Sequence, residues 1–185
     1  MKNPQMKTAN SFQLLAACAA LVFSAATLSA NESENRGQLS SHDYKFACEA
    51  LEGGTMEVTL GQLAQQKATD QAVREFGQRM VTDHQKANQE LTQLLSQKGA
   101  TPPNAMAKKS GKMTDKLQDE KGADFDKAYM KQMLKDHKKD VEEFQKASEK
   151  SDDADLRALA AKTLPTLQEH LTVAKSVEEA VSAKK

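Results

Sequence analysis

The residues of this 185-residue chain best suited to chemistry are three histidines and one glutamate that stand where core residues belong. Val73, Phe76, Met80, His84, Ala87, Leu91 and Leu94 follow one another at steps of three and four, which puts His84 in the apolar row of an amphipathic helix. Met130, Met133, His137, Val141 and Phe144 form a second such row, and Leu156, Leu159, Thr163, Leu167, His170, Ala174 and Val177 a third. A less clean fourth row, Phe46, Ala50, Gly53, Glu57, Leu60 and Ala64, contains Glu57. Polar residues at core positions are errors unless they serve a function. Here four of them fall near the middles of four segments, at matching depth.

Three imidazoles and a carboxylate can make a four-coordinate metal site, suited to Zn and acceptable to Cu, Fe or Mn. An ion would also resolve the cost of burial, since a lone Glu57 in a core would shift its pKa upward and become neutral. The same residues allow another reading, in which they satisfy one another in a metal-free hydrogen-bond layer that fixes helix register. Asp83, Asp136 and Glu169 directly precede the three histidines. Each lies about 100° around its helix from the ring, placed either to accept from a ligand histidine or to face water. Met80 and Met133 stand one turn before His84 and His137, where a thioether would suit reduced copper or simply fill core space. The di-iron pattern of Glu-x-x-His is not reproduced, because Val81, Leu134 and Leu167 occupy the positions three before each histidine. No Ser/His/Asp or Cys/His constellation and no Gly-rich phosphate loop is present, so nucleophilic catalysis has no support.

Four long amphipathic segments carry these rows. They run from about Asp43 to Ala68, with Ser41 or Asp43 as cap, from Asp70 to Lys98, from Asp124 to Lys150, and from Asp153 to Ser182. Nothing alternates with period two, so the expectation is an all-α four-helix bundle over residues 43–182. Two connections are very short and make antiparallel hairpins. The link 99–123 is long, with a short helix expected near Thr114 to Asp119. It can cross the length of the bundle, making the second and third long helices parallel, or turn back in simple up-down order. Phe76 to Lys86 repeats as Tyr129 to Lys139, each with Met and Asp-His at the same spacing. Gly53-Gly54 either admits close packing beside Glu57 or breaks the first helix. Pro165 should kink the last one a little over a turn before His170.

The chain opens like an exported protein. Lys2 and Lys7 precede an apolar run from Phe12 to Leu28, and small residues Ser29-Ala30 lead into polar sequence. This is the layout of a secretory signal peptide spanning residues 1–30 and cleaved after Ala30, followed by a flexible segment 31–42. Leu15 to Cys18 resembles a lipoprotein box. However, about ten apolar residues continue beyond Cys18, so a plain signal for a periplasmic protein is the expectation. Without residues 1–30, 24 basic residues face 26 acidic ones. That leaves no basic excess for nucleic acid. No further segment reads as membrane-spanning. Cys48 then remains the only thiol, read as a half-buried helical residue without an internal disulfide partner.

Several of these stretches together resemble domain-of-unknown-function family 4142. They are Glu57-Val58-x-Leu60-Gly61-x-Leu63-Ala64, Met80-Val81-x-Asp83-His84-x-x-Ala87-Asn88-x-x-Leu91, Phe125-Asp126-x-Ala128-Tyr129, Asp136-His137 and Leu164-Pro165-x-Leu167-x-x-His170. The resemblance extends from about Tyr44 to Val177 and implies an exported bacterial protein with a ferritin-like four-helix fold. Members are often labelled outer membrane proteins, although nothing in this chain reads as barrel strands. The resemblance implies little about biochemistry. The expected function is metal binding through Glu57, His84, His137 and His170, in envelope metal homeostasis or stress. The alternatives are a metal-free interaction or stress-protection module and, third, a metal-dependent oxidoreductase. Four protein ligands would leave that last reading no open coordination position.

Overall fold

A computed structural model describes residues 35–102 and 107–184, the second stretch with side chains from residue 113 onward. The expected signal peptide, its cleavage point and Cys18 lie outside the described residues. Among the described residues five helices follow one another: α1 (Ser41–Lys67), α2 (Gln71–Gln97), α3 (Ala107–Gln118), α4 (Gly122–Lys150) and α5 (Ala154–Ser182). The four long ones match the four amphipathic segments. The link helix α3 is longer than Thr114 to Asp119, and it lies against α1 with Leu117 buried.

Contacts at the two ends give the direction of each helix. At one end, the backbone N–H of Asp153, in the α4–α5 turn, donates to Asp43 Oδ2 at 2.8 Å. The Asp153 carboxylate meets Lys98 Nζ, just past α2, at 2.7 Å. At the other end, Asp126 near the start of α4 accepts from the backbone of Thr69 and Asp70 in the α1–α2 turn, at 3.1 and 2.9 Å. Lys184, just past α5, pairs with Asp70 there. So α1 and α5 run one way and α2 and α4 the other. The link crosses the whole bundle, about 40 Å at 1.5 Å per residue. This is the crossover topology of ferritin-like folds, the first of the two orders the long link allows.

The two hairpins are related by a repeat with an offset of 83 residues, different from the one the sequence displays. Arg74 donates to the carbonyls of Ala68 and Thr69, while Arg157 donates to those of Ser151 and Asp152. Asp70 and Asp153 cap α2 and α5 in the same way. Asp43 and Asp126 each reach from one hairpin to the turn of the other. Asp43 is therefore a buried tie rather than a cap. The cap of α1 is Ser40, whose hydroxyl accepts from Asp43 N at 3.1 Å.

The lead-in to α1 is held in part. Gln38 N donates to Lys98 O and Thr101 N to Asn35 O, and Leu39 is buried against the end of α2. Within α1 the buried row near its start is Tyr44, Ala47, Leu51 and Gly54. The residues Phe46, Ala50 and Gly53 are half-buried, because Phe46 turns towards α4 and meets the Phe144 ring edge-on at 5.1 Å.

The glycines let α1 and α2 approach. A Cβ at Gly61 would lie 2.6 Å from the backbone oxygen of Gly77, which cannot yield, whereas one at Gly53 would meet only Asp140 Oδ1 at 3.9 Å. Gly61→Ala should therefore destabilise by about 2 kcal/mol despite its gain in helix propensity. Gly53→Ala should stabilise by up to about 1 kcal/mol. Urea unfolding of the pair checks both signs. Helix α1 runs unbroken through Gly53-Gly54 and α5 through Pro165.

Candidate metal centre

The apolar core is divided in two. One cluster contains Leu60, Phe76, Met80, Phe125, Tyr129 and Met133, and the other Leu39, Leu51, Leu91, Leu95 and Leu156. Between them lies a polar layer of Glu57, His84, His137 and His170, each buried and each from a different long helix. Because helices of similar length are paired end to end, mid-helix residues share one depth whichever way the helix points.

Each histidine has one ring nitrogen within hydrogen-bond reach of a partner. His84 Nδ1 lies 3.0 Å from Glu57 Oε2. His137 Nδ1 lies 2.9 Å from the carbonyl oxygen of Met133, one turn earlier, and 3.4 Å from Glu57 Oε1. His170 Nε2 lies 2.8 Å from Asp83 Oδ2 on α2. With these nitrogens donating, the other nitrogen of each ring is an acceptor. Those three atoms, His84 Nε2, His137 Nε2 and His170 Nδ1, are buried without a protein partner. The three rings can each offer one ligand atom within 4.8 Å of the others. Their centroids are 5.3 to 5.6 Å apart.

A second group places Glu57 with His137 and Asp140, again within 4.8 Å. Asp140 was not among the residues singled out from sequence, where it reads as part of a charged, solvated run beside Lys138 and Lys139. It stands one turn after His137, and 83 residues after Glu57, so it is the repeat's counterpart of that glutamate. The half-buried and buried glycines Gly53 and Gly54 leave room for Asp140 and Asn88 at this depth. Next to the pair is a cavity of about 30 Å³. It is bounded by Glu57, His84, Asn88 and Asp140 on one side and by Phe46, Leu91, Phe144 and Leu159 on the other. That volume holds one or two waters, roughly.

The remaining outer candidates separate. Asp83 serves the histidine of another helix, His170, rather than its neighbour His84. Glu169 reaches Arg79 Nη2 at 2.6 Å, and Asp136 accepts from Gln132 at 2.8 Å. Met80 and Met133 are fully buried in the first apolar cluster. Cys48 is half-buried, as expected, and burial pushes its thiol up.

Burial sets the charge of the layer. It pushes His84 well below the usual histidine range, helped by His137 and His170, and lowers His137 to about 4, helped by His170. Burial also lowers His170, with the Asp83 hydrogen bond opposing. Glu57 is pushed well above the carboxylate range by burial and then by Asp140 and Asp136, and Asp140 rises to about 7 by burial and then by Asp136. The rings are thus neutral, the form that ligates; Glu57 retains its proton at neutral pH, and Asp140 is near half-protonation there.

This arrangement fixes how stability depends on pH. Below the ordinary histidine value of 6.5 the unfolded chain takes up protons that the folded layer resists, so stability falls as pH falls. Folded Glu57 and Asp140 keep protons that the unfolded chain releases above 4.5 and 3.8, so stability also falls as pH rises through about 7. Below 6.5 three histidines outweigh two carboxyls. The metal-free protein should be most stable near pH 6 to 7, losing about 1.4 kcal/mol per pH unit for each net proton on either side. A urea midpoint that stays flat from about pH 5 to 8 would refute this.

Fold and layer together define a ferritin-like four-helix bundle with a histidine-rich polar centre. The chain belongs to the domain of unknown function family DUF4142, whose family model matches residues 28–177. No curated protein matches the chain. Among solved structures it is similar to a DUF305 fragment from Deinococcus radiodurans at 11% identity and a TM-score of 0.67, covering 77% of this chain and 98% of that one. It is also similar to CopM in the Cu(II)-bound form at 15% identity and a TM-score of 0.62, covering 75% of this chain and 96% of that one. At these identities the likeness is one of fold. No helix among the described residues is long and apolar enough to cross a membrane.

Proposed function

We propose that this is an exported periplasmic protein that holds one transition-metal ion through His84 Nε2, His137 Nε2 and His170 Nδ1. Two observations carry the reading: the three buried rings each offer a nitrogen within 4.8 Å of the others, and each ring has one nitrogen paired and one buried without a partner. Leaving three such acceptors unpaired in a core would be costly. An ion pairs all three at once. The Glu57 carboxyl holds His84 and the Asp83 carboxylate holds His170, orienting the ligand imidazoles, the usual outer support of a histidine–metal site. Glu57 thus moves from the ligand role to an outer one, with Asp140 beside it. Three imidazoles suit Zn or Cu best among Zn, Cu, Fe and Mn. The fold likeness to CopM in the Cu(II)-bound form agrees with metal handling in the cell envelope, in homeostasis or stress.

Three protein nitrogens also leave a fourth coordination position open, as metal-dependent oxidoreductases and hydrolases require. Catalysis is therefore the second reading, and turnover by the loaded protein would be its readout.

The test is metal analysis by mass spectrometry of the protein purified from the periplasm, followed by loading with Zn, Cu, Fe and Mn in turn. About one ion per chain supports the reading. If the protein carries no metal and takes none up, the layer is the metal-free register device, and the search turns to protein partners.

A further inference from the structure

The four layer residues differ in how far they lie from water. Glu57, His84 and His137 have side chains 2%, 7% and 0% exposed and pair among themselves or with the Met133 carbonyl. His170 is 1% exposed too, but its hydrogen-bond partner Asp83 is 30% exposed. Beyond Asp83 lies a single arginine. Arg79 Nε sits 3.2 Å from Asp83 Oδ2 on its own helix, and Arg79 Nη2 sits 2.6 Å from Glu169 Oε2 on α5. The chain His170–Asp83–Arg79–Glu169 thus runs from the buried ring to solvent across the seam between α2 and α5. Each hairpin packs within itself far more closely than against the other, so this seam is among the looser ones in the bundle. Outside it a shallow groove is lined by Arg79, Pro165, Gln168, Glu169 and Thr172. Pro165 has no N–H to give Ala161, which weakens α5 one turn before Glu169 and His170.

We propose that Arg79 is a latch on the route by which a divalent cation reaches the three nitrogens. With Arg79 in place, its guanidinium neutralises both carboxylates at the mouth and holds Asp83 against His170. When it swings out, Asp83 and Glu169 form an acidic pair that attracts the incoming cation. His170, released from Asp83, is the ligand that moves to receive it. The latch rests on the metal reading above and adds its entry point.

Stopped-flow uptake of Co²⁺ by the metal-free protein tests it, since binding to imidazole gives the ion a visible absorption change. Arg79→Ala should speed uptake and chelator-driven release by about tenfold, the factor expected for two half-exposed ion pairs, with unchanged stoichiometry. Arg79→Gln keeps most of the stem and should behave alike. The comparison is Lys162→Ala. Lys162 is the 83-residue counterpart of Arg79 and pairs with Glu90 across the same seam at 2.8 Å, away from His170. Uptake that quickens in the Arg79 variants and not in Lys162→Ala supports the latch. Equal rates in the Arg79 variants and the unaltered protein overturn it, as does equal acceleration in Lys162→Ala. If the unaltered protein binds no Co²⁺, the metal reading itself has failed.

Discussion

His137→Ala should abolish stoichiometric metal binding, lowering affinity by two to three orders of magnitude or more. The size follows from ligand number. Binding of a structural Zn²⁺ is worth about 10–16 kcal/mol, so each of three or four ligands accounts for roughly 3 kcal/mol, and 1.4 kcal/mol is a factor of ten. His137 is the most demanding choice. It is fully buried, its Nδ1 is held by the Met133 carbonyl one turn earlier on α4, and it belongs to both convergent groups. His84→Ala and His170→Ala should act in the same direction. Met80→Leu and Met133→Leu conserve volume in the apolar cluster and should leave Zn²⁺ affinity within a few-fold. Competition titration against a chromophoric chelator reads all five. Retention of tight binding by any histidine variant would remove that ring from the ligand set.

The largest effect on folding should come from a residue outside the layer. Asp126 is 3% exposed and accepts from Thr69 N, Thr69 Oγ1 and Asp70 N at 3.1, 2.5 and 2.9 Å. It ties the start of α4 to the turn of the other hairpin and supplies negative charge at the N-terminus of α2. Asp126→Ala leaves two backbone donors without their acceptor and should cost about 3–5 kcal/mol. Asp126→Asn, which keeps one acceptor oxygen and loses the charge, should cost about half as much. Chemical denaturation measures both. A loss below about 1 kcal/mol in Asp126→Ala would mean that water replaces these bonds freely.

Much of this architecture was legible in the sequence. Four rows of steps three and four set four long helices, and they placed His84, His137, His170 and Glu57 at one depth. The link was long enough for a crossover, but its length allowed both topologies. Only the end contacts of Asp126 and Lys184 with the α1–α2 turn decide between them. Asp140 was hidden for a physical reason: it sits among lysines and acids on a helix whose outer face is charged. Its one-turn spacing from His137 was the available signal, as was its 83-residue offset from Glu57. That offset is faint in the sequence because the hairpins share capping chemistry rather than apolar identity, whereas the repeat visible in sequence relates α2 to α4. Which acid serves which ring was also beyond reach. Asp83 is adjacent to His84 in sequence, but the 100° step between them turns its side chain towards α5 and His170.

Three imidazole nitrogens closing on one ion at mid-bundle would be read by X-ray absorption at the edge of the bound metal. Three imidazole scatterers at about 2.0–2.1 Å are expected for Zn²⁺ in the unaltered protein. A shell of oxygen atoms without imidazole would overturn the three-histidine site.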